Sequence, residues 1–268
     1  MATSLIVCGA AGRMGRTLVS LAAHTDATVV AAAVEAPGHP SLGRDVGDLA
    51  GVGPLGIAIG SDLSAVCRPE SVVLDFTNAD AAMATLRIAV AAGGAIVLGS
   101  TGFSEVQQRE IDDLAPRIRS VVAANMSVGV TVLERLAREA ARVLGDGFDP
   151  EIVEIHHRMK VDAPSGTALS LGRAVAEATG RMLQTDAVYG RQGLVGRRTP
   201  AEIGILAVRG GDVVGEHTVY FAGMGERLEL THRAQSRDCL ARGALRAALW
   251  LDHQPPGRYS MADVLGLT

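Results

Sequence analysis

The sequence has few cysteines and few aromatic residues, and it has no long apolar run. Its three cysteines, Cys8, Cys67 and Cys239, show no paired spacing, so we expect neither a disulfide framework nor a C-x-x-C zinc site. No apolar run approaches the ~18 residues of a membrane span. The first apolar run is broken at Gly9 and has no basic segment before it, which argues against a signal peptide. We therefore expect a cytoplasmic protein with no membrane partner.

The chain also lacks an excess of basic residues. Its formal net charge of -4 and its pI near 6.0 argue against a globally basic nucleic-acid-binding protein, but they allow a local positive pocket for a small anion. Apolar residues make up 48% and charged residues 20%, which excludes a disordered chain or a coiled coil. The 32 glycines beside 3% aromatics are typical of an α/β enzyme with an aliphatic core and tight turns.

The first half of the chain alternates short apolar runs with helix-like stretches. Continuous β-branched runs between helices indicate strands buried on both faces of a parallel sheet. We predict a Rossmann-like, doubly wound α/β domain, in which Pro37–Gly60 is loop plus a short strand. The predicted strands are residues 5–9, 28–34, 72–76, 95–98 and 120–124, and the predicted helices are residues 13–23, 79–92 and 104–114.

After Asn125 the pattern changes, and three strand-like segments between Glu202 and Ala234 follow one another without helices. Short turns such as Gly210-Gly211-Asp212 imply antiparallel or mixed pairing, and hence a second, α+β domain. We expect domains at residues 1–126, completed by 237–268, and at residues 127–236. The predicted helices are residues 128–144, 167–178 and 238–251, and the predicted strands are residues 151–157, 202–209, 213–222 and 227–234.

A glycine turn lies directly between the first strand and the first helix. Its spacing is G-x-x-G-x-x-G over Gly9–Gly15, which differs from the strict G-x-G-x-x-G. A pyrophosphate needs backbone N–H groups at a helix N-terminus with no side chains in the way. This favours dinucleotide binding over an ordinary Gly-rich turn. The candidate cofactor residues here are Gly9, Ala10, Ala11, Gly12, Arg13 and Met14.

Other candidate cofactor residues follow later strands. Glu35 ends the second strand, where a carboxylate can accept hydrogen bonds from ribose hydroxyls, although a solvated carboxylate is the alternative. Ligands of open α/β sheets bind beyond the carboxyl ends of the strands. Two such ends are therefore predicted to line the nicotinamide side. They comprise Gly99, Ser100 and Thr101, and Ala123, Ala124, Asn125 and Met126.

A second group of polar residues lies in the predicted α+β domain. His156, His157 and Lys160 follow a strand, and Ser165-Gly166-Thr167 then opens a helix whose N-terminus can hold an anion. Together they can bind a carboxylate and donate a proton. In a regular strand the two histidines would face opposite ways. The alternatives are structural histidines and a metal site, but no neighbouring ligand set completes a zinc site. We predict no metal.

These residues also carry a family resemblance. The most specific segment is E-I-V-E-I-H-H-R-M-K-V-D-A-P-S-G-T-A-L over Glu151–Leu169. The supporting segments are G-A-A-G-R-M-G at 9–15, D-F-T at 75–77, G-S-T-G-F at 99–103, A-A-N-M-S-V-G at 123–129 and R-G-G-D-V-V-G-E-H at 209–217. From Val7 to about Leu265, the chain resembles the 4-hydroxy-tetrahydrodipicolinate reductase (dihydrodipicolinate reductase) family of diaminopimelate and lysine biosynthesis.

The resemblance implies roles for the candidate residues. His156 matches a general acid/base, Lys160 a proton donor and carboxylate partner, and His157 a substrate contact. Gly166 and Thr167 match the carboxylate-binding helix start. The resemblance further implies that residues 1–126 bind the dinucleotide and that residues 127–236 bind substrate and join a homotetramer. We also expect closure about hinges near residues 125–127 and 237.

The expected activity is hydride transfer from NADH or NADPH to a cyclic imine dicarboxylate, 4-hydroxy-tetrahydrodipicolinate. The residue after Glu35 is Ala36, where relatives that bind a 2′-phosphate well often carry a basic residue, so NADH is expected to serve at least as well as NADPH. Arg13 in the glycine turn and Arg44 could each reach that phosphate, so rejection of NADPH need not be complete. The alternatives are a non-catalytic NAD(P)-sensing regulator, which does not need the residues of 156–167, and a metal-dependent keto-acid lyase.

Overall fold

The computed structural model describes residues 2–267, which divide into two units. The first unit contains the residues up to Val128 together with those from Asp238 onward, and the second contains Gly129–Arg237. The boundaries expected from the sequence lie within two residues of these. Each unit has its own sheet.

The first unit begins with alternating strands and helices. Its first elements are β1 (Thr3–Cys8), α1 (Arg13–Ala23), β2 (Thr28–Val34), α2 (Val46–Ala50), β3 (Ser71–Asp75), α3 (Ala79–Ala92), β4 (Ala95–Leu98), α4 (Glu105–Leu114) and β5 (Arg119–Val122). All residues of β3 and β4 are buried, as expected for strands covered on both faces.

The second unit is a mixed sheet with helices. It comprises α5 (Val128–Leu144), β6 (Asp149–His156), α6 (Gly166–Ala178), α7 (Leu183–Asp186), β7 (Ala187–Val188), β8 (Ile203–Arg209), β9 (Gly215–Ala222) and β10 (Arg227–Ala234). The strand order is β10-β9-β6-β8-β7, with β6 antiparallel to β9 and parallel to β8. Along β6 buried and half-buried residues alternate, and buried Ile152 packs with Leu171 of α6 and Phe221 of β9 in one apolar core. This is the mixed α+β unit predicted from the sequence.

The C-terminal segment belongs to the first unit. It forms α8 (Asp238–Leu251), β11 (Gly257–Tyr259) and α9 (Met261–Leu265). β11 pairs in parallel with β5, which completes a sheet of six parallel strands in the order β11-β5-β4-β3-β1-β2. The small buried residues of α8 join the core of this sheet. The predicted Rossmann-like class is confirmed.

Most predicted elements are confirmed, and the remaining differences have local causes. The helices over 13–23, 79–92, 128–144 and 238–251 have the predicted bounds, and the predicted strands differ by at most two residues at an end. α4 begins one residue later than predicted because Ser104 is its N-cap. The Ser104 side chain accepts from the Gln107 N–H, and the Gln107 side chain accepts from the Ser104 N–H.

The prediction for Pro37–Gly60 was wrong in part. In place of a short strand, this segment contains α2 and two isolated bridges, Val34–Gly60 and Asp45–Ala58. The cause is Asp45, whose carboxylate accepts from four backbone N–H groups, those of Gly47, Asp48, Leu55 and Ile57. These bonds cap the helix and hold the loop, so the segment does not need a strand ladder. The short elements α7, β7, β11 and α9 were not predicted. Within residues 2–267, no helix has both the length and the apolar character needed to cross a bilayer.

Candidate functional site

The turn between β1 and α1 is built from small residues and leads into a helix start that no side chain caps. Gly12 is the N-cap of α1 and offers no side-chain acceptor to the first turn, which has no acidic residue either. Gly9 has a φ of 65°, which favours glycine. A Cβ at Gly15 would lie 2.2 Å from the Gly9 carbonyl oxygen, so only glycine lets the helix lie this close to the turn. The result is an uncapped helix N-terminus behind a turn without bulky groups, which suits a phosphate.

The acidic residue at the end of β2 is bonded to the same turn. Glu35 accepts from the Ala11 N–H at 3.0 Å through Oε2 and from the Ala36 N–H at 3.0 Å through Oε1. The Ala10 and Ala11 side chains are buried, and their N–H groups serve the turn itself by donating to the Val34 carbonyl and to Glu35. Gly12 and Arg13 are exposed and Met14 packs partly on the core. Glu35 thus fixes the turn and keeps a half-exposed carboxylate beside it.

The segment after β4 is tied to the end of β3 by a buried carboxylate. Asp75 is fully buried, and its Oδ1 accepts from the Ser100 hydroxyl at 2.8 Å, the Thr77 hydroxyl at 2.8 Å and the Thr77 N–H at 3.0 Å. The Gly99 N–H donates to the Asp75 carbonyl. Since both hydroxyls donate to Asp75, each keeps lone pairs with which it can accept a further hydrogen bond, although Ser100 itself is buried. Thr101 is exposed.

The segment after β5 offers mainly backbone. The Asn125 side chain accepts from the Ser127 N–H at 2.8 Å. The Met126 side chain is buried in the core, and a Cβ at Gly243 would lie 1.7 Å from the Met126 carbonyl oxygen. Ala123 is half-buried and Ala124 exposed.

These features of the first unit fit a nicotinamide dinucleotide. The uncapped N-terminus of α1 suits the pyrophosphate, Glu35 suits a ribose, and the segments after β4 and β5 lie at the carboxyl end of the same parallel sheet.

In the second unit, a fully buried carboxylate lies at the centre of the predicted site. Glu154 accepts from His156 Nδ1 at 2.6 Å, from Arg209 Nη1 at 2.7 Å and Nη2 at 2.8 Å, and from the Ser165 N–H at 3.0 Å. Burial alone would raise the pKa of the Glu154 carboxyl, but these bonds outweigh burial and hold the pKa below its ordinary value. Glu154 is therefore ionised at neutral pH.

The predicted acid/base His156 is nearly buried, and a second imidazole lies beside it. Its ring is in an edge-on contact with that of His217, with centroids 5.1 Å apart. Burial lowers the pKa of His156, although the bond to Glu154 and its charge oppose the shift. Burial and the nearby charge of His156 lower the pKa of His217 to about 4. Both rings are therefore predominantly neutral at pH 7.

The strand ends at His156, so the alternation of side chains stops before His157. A tight turn follows, in which the Lys160 N–H donates to the His157 carbonyl. The Lys160 ammonium donates to both oxygens of Asp162, at 2.8 and 2.9 Å, and this bond lowers the pKa of Asp162. Lys160 thus lies near His157 in the turn, and its charge is paired with a neighbouring carboxylate.

The predicted anion-binding residues at the start of α6 differ in exposure. Ser165 is buried, and its hydroxyl accepts from the Ala168 N–H at 3.1 Å as the helix cap and bonds His217 Nε2 at 3.0 Å. Gly166 is exposed and Thr167 half-exposed, so these two residues are the ones presented to a ligand. The Ser165 side chain instead holds the helix start in place.

Sequence reasoning gave no role to Asp75, Glu154, Arg209 or His217. One signal was available for Glu154. It lies two residues before His156 in a strand, so both side chains point to the same, buried face. A carboxylate there needs donors. Within residues 2–267, no cluster of three or more His, Cys, Asp or Glu residues could hold a metal ion.

Comparison with known proteins gives consistent matches over nearly the whole chain. Residues 3–126 match the family model "Dihydrodipicolinate reductase, N-terminus" and residues 129–265 match "Dihydrodipicolinate reductase, C-terminus". The chain is 53% identical over 265 residues to 4-hydroxy-tetrahydrodipicolinate reductase of Anaeromyxobacter dehalogenans, covering 99% of this chain and 98% of the relative. It is 52% identical to the enzyme of the same name from Syntrophotalea carbinolica, covering 97% and 98%.

A solved structure shares the fold. Dihydrodipicolinate reductase from Paenisporosarcina sp. TG-14, bound to dipicolinate, matches with a TM-score of 0.74 and 21% identity, covering 98% of this chain and 99% of that one. On the two family models and the full-length relatives at about 50% identity, the chain belongs to the dihydrodipicolinate reductase family.

Proposed function

We propose that the chain reduces 4-hydroxy-tetrahydrodipicolinate to tetrahydrodipicolinate in the diaminopimelate and lysine pathway. The observation that carries this is the buried Glu154–His156 pair. It lies beside the N-terminus of α6, in a chain 53% identical over 99% of its length to a reductase of that name. A proton-transfer group near an anion-binding helix start suits a dicarboxylate that must be protonated.

A bound nicotinamide dinucleotide supplies the hydride. The uncapped start of α1 and Arg13 would hold its phosphates, Glu35 would hold the adenosine ribose, and the segments 99–101 and 123–126 would hold the nicotinamide end. Because the hydroxyls of Thr77 and Ser100 donate to Asp75, Ser100 can accept a bond from a carboxamide N–H. These residues orient the cofactor.

The second unit supplies the substrate contacts and the proton. Lys160 and the start of α6, at Gly166 and Thr167, bind the two carboxylates, and His157 adds a further contact. Loss of the 4-hydroxyl as water forms the conjugated imine. Hydride would then add at ring carbon 4 and leave an enamine, which takes up one proton from His156 or Lys160.

A Lys160→Ala variant tests this assignment. We expect kcat to fall about 10²-fold, because a charge-assisted contact and a proton source are lost together. The dissociation constant for NADH should stay unchanged, since Lys160 belongs to the second unit. Arg173→Ala, on α6, is a matched control that removes a cation from the same unit. Retention of wild-type kcat by Lys160→Ala would exclude Lys160 from the chemistry.

We further propose that NADH serves at least as well as NADPH. Glu35 repels a 2′-phosphate, and exposed Ala36 offers it no charge, while Arg16 donates its Nε–H to the Ala11 carbonyl of the turn. The candidate cations for the phosphate are Arg13 and Arg44. A wild-type kcat/KM ratio that favours NADPH tenfold would contradict this proposal and point to Arg13 as the phosphate partner.

We infer that the protein is a cytoplasmic homotetramer joined through the second sheet. One face of β6 and β9 carries half-buried Val153, Ile155 and Tyr220, outside the apolar core of the unit. A face of this kind suits contact with a second copy. The free thiols of all three cysteines suit a reducing compartment. Light scattering tests the tetrameric mass. Cell fractionation tests the cytoplasmic location.

A further inference from the structure

One buried carboxylate connects the predicted proton group to the predicted anion site. Glu154 Oε2 accepts from His156, at the end of β6, and Oε1 accepts from the N–H of Ser165, at the start of α6. Arg209, at the end of β8, donates to both oxygens. The sequence separations of 11 residues to Ser165 and 55 to Arg209 show that three distant segments meet at this group.

The charge of Glu154 determines the tautomer of His156. An ionised carboxylate can only accept hydrogen bonds, so His156 Nδ1 must carry the proton that it donates. In the neutral ring, Nε2 then has the lone pair. This atom lies against Gly215, where a Cβ would be only 2.9 Å away, so the ring needs the glycine to hold this position. Glu154 therefore decides which ring nitrogen takes up and releases a proton.

Arg209 extends the same arrangement to the Lys160 turn. Besides Glu154, its Nη2 donates to the backbone carbonyl of Asp162 at 2.7 Å, and Asp162 is the side chain that pairs with Lys160. The Glu154–Arg209 pair thus bonds the segment from Asp162 to Ser165 at both of its ends.

We propose that Glu154, held by Arg209, is a positioning residue for the reduction, which keeps His156 in the Nδ1–H tautomer and anchors the start of α6 through the same carboxylate. The proposal rests on the proposed function, in which His156 and α6 act on the substrate. Neither residue need touch the substrate.

A Glu154→Gln variant separates this role from simple packing. The amide has the same shape but only one accepting oxygen. When the amide oxygen accepts from His156, the amide NH₂ faces the Ser165 N–H, so two donors meet without an acceptor. In the other orientation its NH₂ donates to His156 Nδ1 and forces the opposite tautomer. One carboxylate satisfies both donors, and one amide cannot.

The first readout is ¹⁵N NMR of labelled histidine in the protein without substrate or cofactor. The chain has seven histidines, so a His156→Gln spectrum assigns the signal. We expect the wild-type neutral ring to be protonated at Nδ1. In Glu154→Gln we expect either the opposite tautomer or, if the tautomer is kept, at least threefold weaker binding of dipicolinate, used as the dicarboxylate probe. In both cases kcat should fall at least tenfold.

Glu177→Gln is the matched control, because it removes an exposed carboxylate that pairs with Arg138 in the same unit. It should leave the ring signal, dipicolinate binding and kcat unchanged. A Glu154→Gln protein with the wild-type tautomer, wild-type dipicolinate affinity and kcat within twofold would overturn the proposal. Absence of turnover in the wild type would instead refute the proposed function, since the NMR readout needs no substrate.

If Glu154→Gln does not fold, Arg209→Lys tests the same idea. It keeps the positive charge but loses the paired bonds to Glu154. Because the carboxylate remains, the Nδ1–H tautomer should persist, while dipicolinate binding weakens at least threefold as the bond to the Asp162 carbonyl is lost. Unchanged dipicolinate affinity, or a changed tautomer, would contradict the proposal.

Discussion

The ion pair between Lys160 and Asp162 predicts that an acidic side chain competes with the substrate. Both Asp162 oxygens accept from the Lys160 ammonium, at 2.8 and 2.9 Å. A substrate carboxylate that binds Lys160 has to displace this partner. Asp162→Asn keeps the shape and removes the charge, so we expect KM for the substrate to fall while kcat stays the same.

The size of the effect follows from the exposure of the pair. The Lys160 side chain is 20% exposed and that of Asp162 55%, so solvent screens the interaction. Exposed pairs of this kind contribute about 0.2–1 kcal/mol. Since 1.36 kcal/mol corresponds to tenfold, loss of the pair should lower KM by up to about fivefold. The backbone bond from Arg209 to the Asp162 carbonyl is retained, because the substitution changes only the side chain.

Steady-state kinetics and dipicolinate titration test this prediction. Asp146→Asn is the matched control, since Asp146 is 89% exposed and pairs with Arg181 in the same unit. The control should leave KM unchanged. A KM in Asp162→Asn that is unchanged or higher would refute the reasoning, because it would mean that the substrate binds without displacing Asp162, or that Asp162 itself supports the bound substrate.

Three other substitutions test separate parts of the protein. Thr167→Val should raise KM for the substrate about tenfold with KM for the cofactor unaltered, since a hydrogen bond to a charged group contributes about 1.5 kcal/mol; steady-state kinetics with each ligand varied checks this. Ala36→Arg should improve binding of NADPH by roughly 1–2 kcal/mol, measured as a lower KM for NADPH and little change for NADH. His217 has a pKa of about 4 in the folded chain against 6.5 unfolded, so the unfolded chain binds the proton first and stability falls by up to about 3 kcal/mol between pH 6.5 and 4. Urea unfolding of His217→Gln should show a smaller loss over that range.

Local sequence patterns predicted the fold well because they encode burial directly. β2 was predicted with its observed bounds from one β-branched and alanine run, and α3 from an alanine-rich stretch whose cap, Asn78, accepts from the Ala81 N–H. The error in Pro37–Gly60 arose because long-range contacts, rather than a local pattern, determine the structure of this segment. There Asp45 bonds N–H groups up to 12 residues away, and such a contact leaves no periodic pattern.

The candidate site was only partly predictable, because its centre depends on strand register. Glu154 and Arg209 meet because β6 and β8 run in parallel with His156 opposite Arg209. Nothing in the spacing of the two segments fixes that register. The histidines and lysine could be selected by their chemistry alone, but the carboxylate that orients them could not.

In the segment R-G-G-D-V-V-G-E-H, the strand alternation predicts which residues share a face, and the structure shows which residue that face contacts. Gly215 and His217 lie two residues apart in β9, so they share one face of the strand. That face meets His156, through the space left by the missing Cβ of Gly215 and through the edge-on contact of the His217 ring. The alternation predicts that the two residues act on the same neighbour. Only the antiparallel pairing of β6 with β9, which places Glu154 opposite His217, identifies that neighbour as the end of β6. A Gly215→Ala variant should therefore displace the His156 ring, and an unchanged ¹⁵N signal of His156 in that variant would contradict this placement.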